Sequence, residues 1–329
     1  MGAFAAVLAS AAATFSASAP PPGISLALPL ACEIGVTCFV QHYVDHDPTA
    51  GARDYRCGPK TYDGHDGTDI RLPDLEAERA GVKVLAAADG VVLRARDGMA
   101  DVSISDTGKA AVKDRECGNG MVVTHAGGWE TQYCHMKKGS LQVRPGDAVA
   151  AGQPLGEVGL SGETEFPHLH LTVRHDGQMV DPFDYGAPLD RCGVEGQSLW
   201  TPDVGRALAY RSPEVIISGF AGGPLSMDQV EAGELSHAPP GPNAPALVAF
   251  VMAIGLDAGD VQRLVLTSPS GKVLMTDTDD PLDHSKDIFL MFGGARLKLP
   301  RWPAGVYRAR YTVLRGGVDV LSKTFDLSL

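Results

Sequence analysis

The sequence is short of positive charge, and its beginning has none. Lysine and arginine together number 28 against 40 acidic residues, which gives a formal net charge of −12. No lysine or arginine precedes Arg53. Nucleic-acid binding needs a basic face that displaces counterions, and docking on anionic lipid needs charge of the same sign. The deficit therefore argues against a nucleic-acid partner and against electrostatic attachment to a membrane.

Long apolar runs are missing after the N-terminal segment. Residues 247–254 reach only the length of a strand, far below the roughly 20 residues that cross a bilayer. The first 19 residues are small, apolar and uncharged, and they end in Ala17-Ser18-Ala19, the small-x-small pattern of a signal-peptide cleavage site. We therefore expect a protein without a membrane span, exported to the periplasm or secreted. The alternative is an unstructured alanine-rich leader, because the usual basic start is missing.

Cysteine pairs of the CxxC type are absent, which argues against a cysteine metal site. Disulfides in an oxidising compartment account better for the six cysteines, which are Cys32, Cys38, Cys57, Cys117, Cys134 and Cys192. Six cysteines allow fifteen pairings, and the sequence alone does not choose among them. One pair is predicted: a hairpin around Gly127-Gly128 should bring Cys117 next to Cys134.

Internal repeats and long helical patterns are also absent. The chain has 39 glycines and 23 prolines, and short apolar runs alternate with turn signals, as in a mostly β protein. A polar stretch at 95–116 is predicted to be a loop inserted in the first sheet. The predicted parts are a signal peptide and leader at 1–31, a domain with the chemistry at 32–188, a linker at 189–212 and an accessory domain at 213–329.

The accessory part contains seven short β-prone runs. Residues 307–313 alternate between apolar and polar side chains, which indicates a strand with one buried face. Seven such strands over roughly 115 residues predict an immunoglobulin-like β-sandwich. His237 and His284 are isolated there and are expected to be solvated. We expect the chemistry not to require this domain, which is a candidate for binding the cell wall or a protein partner.

Three separated segments of the first domain carry histidines and an acid. The first holds His65 and Asp69, the second His135, and the third His168 and His170. Side chains two apart in a strand point to the same face, so His168 and His170 should face the same way. If the three segments are neighbours in one sheet, four imidazoles and one carboxylate line a single groove.

That set of side chains fits a catalytic metal. Zinc binds imidazole nitrogen and carboxylate oxygen, and a catalytic zinc site has three protein ligands and an open position. Two histidines and Asp69 would fill three positions, leaving two histidines for proton transfer and for stabilising an oxyanion. The alternative is a set of unrelated histidines, since a single HxH arises often by chance. Geometry alone does not decide whether His168 or His170 binds the metal.

The order of the motifs resembles the lysostaphin/LytM-type zinc endopeptidases. The resemblance runs in one collinear pass from about residue 63 to residue 184. Its motifs are HxxxD at 65–69, the apolar run and turn at 82–92, GNGMVVTH at 118–125, YCHM at 133–136, the turns at 146–153, PHLH at 167–170 and VDP at 180–182.

The resemblance implies a small antiparallel β-sheet domain with an open groove. It implies one zinc ion held by His65, Asp69 and His170, with His135 and His168 as the catalytic pair. It also implies an endopeptidase acting on peptidoglycan stem peptides or cross-links. Two alternatives are a catalytically silent relative that binds the wall and regulates an amidase, and a secreted peptidase that attacks other proteins. Intact key positions favour the active enzyme.

Four other polar residues have less specific interpretations. His42 and His46 lie in an acidic stretch and are weak candidates for a second metal site. Asp181, in the VDP motif, is expected to fix a turn. His125 is expected to be structural.

Overall fold

The computed structural model describes residues 23–329. Residues 1–22, and with them the predicted signal peptide, lie outside the described part. The described chain is mostly β and its strands pair antiparallel, as predicted. Within residues 23–329, none of the helices is long and apolar enough to cross a membrane.

The first domain is built on an eight-stranded sheet and a separate two-stranded sheet. Its strands are β1 (Phe39–His42), β2 (Thr68–Arg71), β3 (Lys83–Leu85), β4 (Gly90–Arg96), β5 (Asn119–Thr124), β6 (Trp129–Met136), β7 (Ala148–Val149), β8 (Pro154–Glu157), β9 (His168–His175) and β10 (Gln178–Val180). The large sheet has the order β1-β2-β9-β6-β5-β4-β7, with β10 paired to β9, and β3 pairs with β8. Its helices are α1 (Leu75–Ala80) and α2 (Ile104–Thr107), with short 3-10 turns at Lys109–Val112 and Ala126–Gly128.

In strand β9, alternating residues place one face of the strand in the core and the other face toward the groove. Leu169, Leu171 and Val173 are fully buried in the main apolar core. The alternating His168 and His170 therefore lie on the opposite face. The inserted loop predicted at 95–116 begins in the last residues of β4 and contains α2 and the first 3-10 turn.

The second domain has all seven predicted strands. They are β11 (Glu214–Ala221), β12 (Ala246–Leu256), β13 (Val261–Thr267), β14 (Val273–Thr278), β15 (Lys286–Arg296), β16 (Val306–Arg315) and β17 (Val318–Ser328). One sheet has the order β11-β12-β15 and the other β14-β13-β16-β17, and side chains of both share one core. The remaining helices are α3 (Pro202–Ala207), before this domain, and α4 (Met227–Glu231), with a 3-10 turn at Glu234–Ser236. The arrangement is a β-sandwich, and its immunoglobulin-like character stays a prediction.

Segments predicted as leader and linker contribute to the first domain's core. Leu26 and Leu30 are almost fully buried, and so are Leu199 and Trp200. The two segments pair with each other, since the Leu26 amide donates to the Leu199 carbonyl over 2.8 Å and the Thr201 amide donates to the Leu26 carbonyl over 2.9 Å. We therefore propose that the first domain extends from about residue 23 to about residue 210.

Three disulfides lie in the first domain, and no described cysteine is free. They join Cys32 to Cys38, Cys57 to Cys192, and Cys117 to Cys134. The predicted Cys117–Cys134 pair is confirmed, and the hairpin between β5 and β6 is the feature that brings its ends together. The Cys57–Cys192 bridge ties the segment before His65 to the end of the domain.

The two domains share buried surface. Phe39 of β1 lies in an apolar cluster that otherwise comes from the second domain, with Ile216, Ala221, Val230, Phe250, Met252 and Ile254. The ammonium of buried Lys60 donates to the Arg211 carbonyl over 3.0 Å. The sandwich is therefore docked against the β1 edge of the eight-stranded sheet.

A protein that ends at Tyr210 is expected to unfold at lower temperature than the full chain, while still hydrolysing a short peptide at saturating zinc. Truncation would expose Phe39, and burial of such a side chain contributes about 2 kcal/mol. Scanning calorimetry of the full and truncated proteins, each with and without Phe39→Ser, measures this. The substitution should destabilise the full chain and change the truncated one little; equal losses in both would contradict the interface argument.

Candidate active site

Three side chains form a compact cluster on the groove face. His65, Asp69 and His170 are buried, and one ligand atom from each lies within 4.8 Å of the others. The His65 Nε2 is 3.2 Å from the His170 Nδ1, and the His170 Nδ1 is 2.9 Å from the Asp69 Oδ1. The strand register creates the cluster, because Asp69 of β2 lies directly opposite His170 of β9.

Each imidazole of the cluster has its other nitrogen engaged. The His65 Nδ1 donates to the Tyr43 carbonyl over 2.6 Å, which leaves Nε2 with a lone pair. The His170 Nε2 lies 3.0 Å from the Thr172 hydroxyl, and it donates a hydrogen bond to an Asp66 carboxylate oxygen at 3.2 Å. Such outer partners fix the tautomer of metal-binding histidines. Both free nitrogens consequently face the cluster.

The cluster fits a tetrahedral metal ion. Ligand atoms at about 2.0–2.1 Å from zinc in that geometry lie about 3.3 Å from one another. The separations between the two nitrogens and the nearest Asp69 oxygens run from 2.9 to 3.2 Å. His65, Asp69 and His170 could therefore hold one metal ion with a fourth position open toward the groove.

The Asp69 carboxyl is held in its ionised form. Burial alone would raise its pKa, but the imidazoles of His65 and His168 outweigh burial and hold the pKa well below its ordinary value. Its Oδ2 accepts a hydrogen bond from the His42 Nδ1 over 3.0 Å. A divalent cation would neutralise this buried negative charge and bind the surrounding imidazole nitrogens.

The remaining two predicted residues lie beside this cluster. The ring centroids of His135 and His168 are 4.6 Å apart. The His135 Nδ1 donates to the Ser161 carbonyl over 2.8 Å, and the His168 Nδ1 donates to the Phe166 carbonyl over 2.9 Å. The Nε2 atom of each ring is therefore left for chemistry. The structure brings all five predicted side chains together.

His135 has two further features of a functional residue. Its φ angle is 61°, in the left-handed region that only a small share of non-glycine residues adopts. Burial, together with the neighbouring His168 and His170, lowers its pKa well below the ordinary value. The ring is thus neutral near pH 7 and can accept a proton.

The groove around these residues has walls from three parts of the chain. The inserted segment contributes Ile104 and Lys109 on one side. The segment at 163–166 forms another wall, and Asp287 and Glu231 of the second domain close a third. A connected depression on the far side of His135 contains Asp66 and Thr172. The two depressions share Tyr62, His135 and Glu163 and therefore form one groove.

The other predicted polar residues are not brought into this site, except one. His46 forms a buried pair with Asp181, with 2.9 Å between its Nε2 and the carboxylate. Asp181 also accepts from the Phe183 amide, as expected for a turn. His125 contacts the Asp89 carbonyl and the Thr131 hydroxyl, a structural role.

His42 is the exception, and sequence reasoning did not assign it to the site. The prediction considered it with His46 as a weak second metal site. The structure separates the two: His46 pairs with Asp181, whereas His42 donates to Asp69. In the sequence, the only sign of its role is its place at the end of a strand, two residues after Val40. A β-bulge between Val40 and His42 shifts the register so that His42 lies opposite Asp69.

Comparison with known proteins identifies the part of the chain that carries the site. Residues 63–182 match the family model described as peptidase family M23. These residues form a peptidase family M23 domain. All five clustered side chains lie within that domain, and His42 lies outside the matched residues.

Curated relatives that the chain matches include two bacterial endopeptidases. DD-carboxypeptidase/endopeptidase Mpg of Neisseria meningitidis is 31% identical over 137 residues, covering 41% of this chain and 26% of the relative. Peptidoglycan DD-endopeptidase ShyA of Vibrio cholerae is 28% identical over 125 residues, covering 38% and 24%. The chain thus spans about a quarter of the length of these relatives.

Two solved structures that are similar to the chain each cover less than half of it. The catalytic domain of the prophage-encoded M23 protein EnpA from Enterococcus faecalis has 26% identity and a TM-score of 0.30, covering 44% of this chain and 92% of that one. The catalytic domain of lysostaphin from Staphylococcus simulans has 20% identity and a TM-score of 0.27, covering 43% and 85%.

Proposed function

We propose that this chain is a zinc-dependent endopeptidase that hydrolyses peptide bonds in peptidoglycan, within stem peptides or cross-links. The observation that carries the proposal is the cluster of His65, Asp69 and His170 with two further imidazoles beside it. The name of the relative ShyA, a peptidoglycan DD-endopeptidase, supports the substrate class. One zinc ion per chain is proposed, because the cluster offers one set of three ligands.

The chain's own residues have separate tasks in this proposal. When bound, zinc acts as a Lewis acid toward the scissile carbonyl and acidifies water. His135, neutral and with its Nε2 free, takes the proton of the attacking water and later returns one to the leaving amine. The His168 Nε2, 3.4 Å from the Asp69 Oδ1, is placed beside the same position, and with a proton on both ring nitrogens it would stabilise charge that develops on the carbonyl oxygen.

The proposed setting is the periplasm or the cell exterior. Three disulfides persist best in an oxidising compartment. Peptidoglycan lies in the same compartment, so the proposed substrate and the disulfides indicate the same location. The C-terminal sandwich is proposed to contact the wall or a protein partner while it forms part of the groove.

Digestion of purified sacculi tests the function. We expect the zinc-loaded protein to release muropeptides with newly exposed amino and carboxyl ends, identified by mass spectrometry. A chelator should abolish release, and the variant His135→Ala should slow it about 10²- to 10⁴-fold. Zinc-loaded protein that binds sacculi without cutting them would favour the silent regulator. Comparable cutting of an unfolded protein substrate would favour a general secreted peptidase.

A further inference from the structure

His42 lies behind the proposed metal ligand Asp69 and touches it directly. The His42 side chain is 6% exposed, and its Nδ1 is 3.0 Å from the Asp69 Oδ2. A carboxylate oxygen only accepts hydrogen bonds, so the Nδ1 must carry the proton. This bond engages Oδ2, which also lies 3.2 Å from the His65 Nε2, while Oδ1 lies 2.9 Å from the His170 Nδ1.

Aromatic neighbours confine the His42 ring in that orientation. Tyr62 packs edge-on at a centroid distance of 5.3 Å, and Phe166 lies at 6.2 Å. The ring of His65, itself in the cluster, lies at 5.7 Å. A ring held on three sides loses little entropy when it forms its hydrogen bond. It can therefore fix the carboxylate plane.

The opposite nitrogen of His42 faces the second domain. Among the described residues, the buried Nε2 has no hydrogen-bond partner. The nearest charge is the Asp287 carboxylate of β15, whose Oδ2 is 3.9 Å from the Nε2. This distance is too long for a hydrogen bond, and with its proton on Nδ1 the neutral ring meets the Asp287 charge as a dipole. Both side chains line the groove that contains His135 and His168.

We propose that His42 is a positioning residue for the metal ligand Asp69, and that Asp287 couples the C-terminal sandwich to the metal centre through His42. The inference rests on the proposed zinc site, since it assigns Asp69 to the metal. Losing an outer partner of a metal ligand costs about 10- to 100-fold in affinity. The Asp287 contribution is expected to be smaller, because its side chain is 56% exposed and solvent screens its charge.

Paired substitutions at His42 separate the hydrogen bond from packing. His42→Phe retains a ring but has no donor, whereas His42→Asn supplies a side-chain amide whose nitrogen lies near the position of the imidazole Nδ1. In His42→Gln the amide reaches the position of Nε2 instead. We expect His42→Phe and His42→Gln to weaken zinc binding about 10- to 100-fold. His42→Asn should stay within a few-fold of the parent protein.

The measurement is the zinc dissociation constant of the full chain by chelator competition, together with the visible spectrum of the cobalt-substituted protein. A changed ligand field in His42→Gln, but not in His42→Asn, would support the positioning role. Parent-like zinc affinity and cobalt spectra in His42→Gln would overturn it, even if His42→Phe failed to fold. A parent protein that binds no zinc would instead refute the proposed function.

The coupling to the second domain has its own control. Asp287→Asn removes a charge beside His42, and Asp280→Asn removes one from an exposed position in the same domain. We expect Asp287→Asn to change zinc affinity by about two- to tenfold, and Asp280→Asn to leave it unchanged. Equal affinities in these two variants would overturn the coupling, whatever the result at His42.

Discussion

Replacing His170 by alanine is expected to abolish tight zinc binding, whereas replacing His168 by alanine should leave zinc in place and slow hydrolysis about 10²- to 10⁴-fold. Both side chains lie on the groove face of β9, so their strand position does not separate them. The hydrogen bonds of the two side chains distinguish them. The His170 Nδ1 lies within 3.2 Å of both the His65 Nε2 and Asp69, and its Nε2 is engaged elsewhere.

His168 is oriented differently. Its Nδ1 is engaged by the Phe166 carbonyl, and its ring lies closest to His135 among the clustered histidines. Zinc content by atomic absorption, measured with the hydrolysis rate on both variants, tests the assignment. His135→Ala is the matched control and should resemble His168→Ala in both measurements. Loss of metal in His168→Ala with retention in His170→Ala would reverse the two roles.

Local periodicity was enough to predict much of the site. Alternation along a strand places His168 and His170 on one face, and the structure has both on the groove side of β9. The seven strands of the second domain also follow from apolar runs and turn signals, and in β16 the expected alternation places Tyr307, Ala309 and Tyr311 in the core. These features depend on neighbours within a few residues, which a sequence displays directly.

The pairing of segments that are far apart in the chain could not be predicted from local sequence patterns. That Asp69 lies opposite His170 depends on the register between β2 and β9, about a hundred residues apart in the chain. His42 faces Asp69 only because a bulge shifts the register of β1. The burial of Leu26 likewise depends on pairing with Leu199, far along the chain. Motif resemblance provided the site's pairing but did not extend to His42 or Leu26.

Removing the Cys117–Cys134 disulfide by a double alanine substitution is expected to reduce both stability and catalysis. The bridge closes a loop with a sequence separation of 17, worth about 3 kcal/mol in the chain-entropy model. It also holds the carbonyl of Cys117, which accepts the His135 amide over 2.8 Å. His135 keeps its left-handed backbone only while its surroundings enforce it, at a cost of about 1–3 kcal/mol. Without the bridge we expect His135 to leave this conformation part of the time.

The Cys57–Cys192 disulfide is the matched control, because it should have the larger effect on stability and the smaller effect on rate. Its sequence separation is 135, so the same model assigns it about 5 kcal/mol, and the hydrogen bonds of Cys57 run to Asp54 and Arg53 rather than to His135. Urea unfolding and steady-state kinetics of both double variants, at a temperature where each is folded, measure the two effects. We expect kcat to fall at least tenfold on loss of Cys117–Cys134, with KM and zinc content little changed. A kcat that follows stability alone, falling more in the Cys57–Cys192 variant, would show that the Cys117–Cys134 bridge does not position His135.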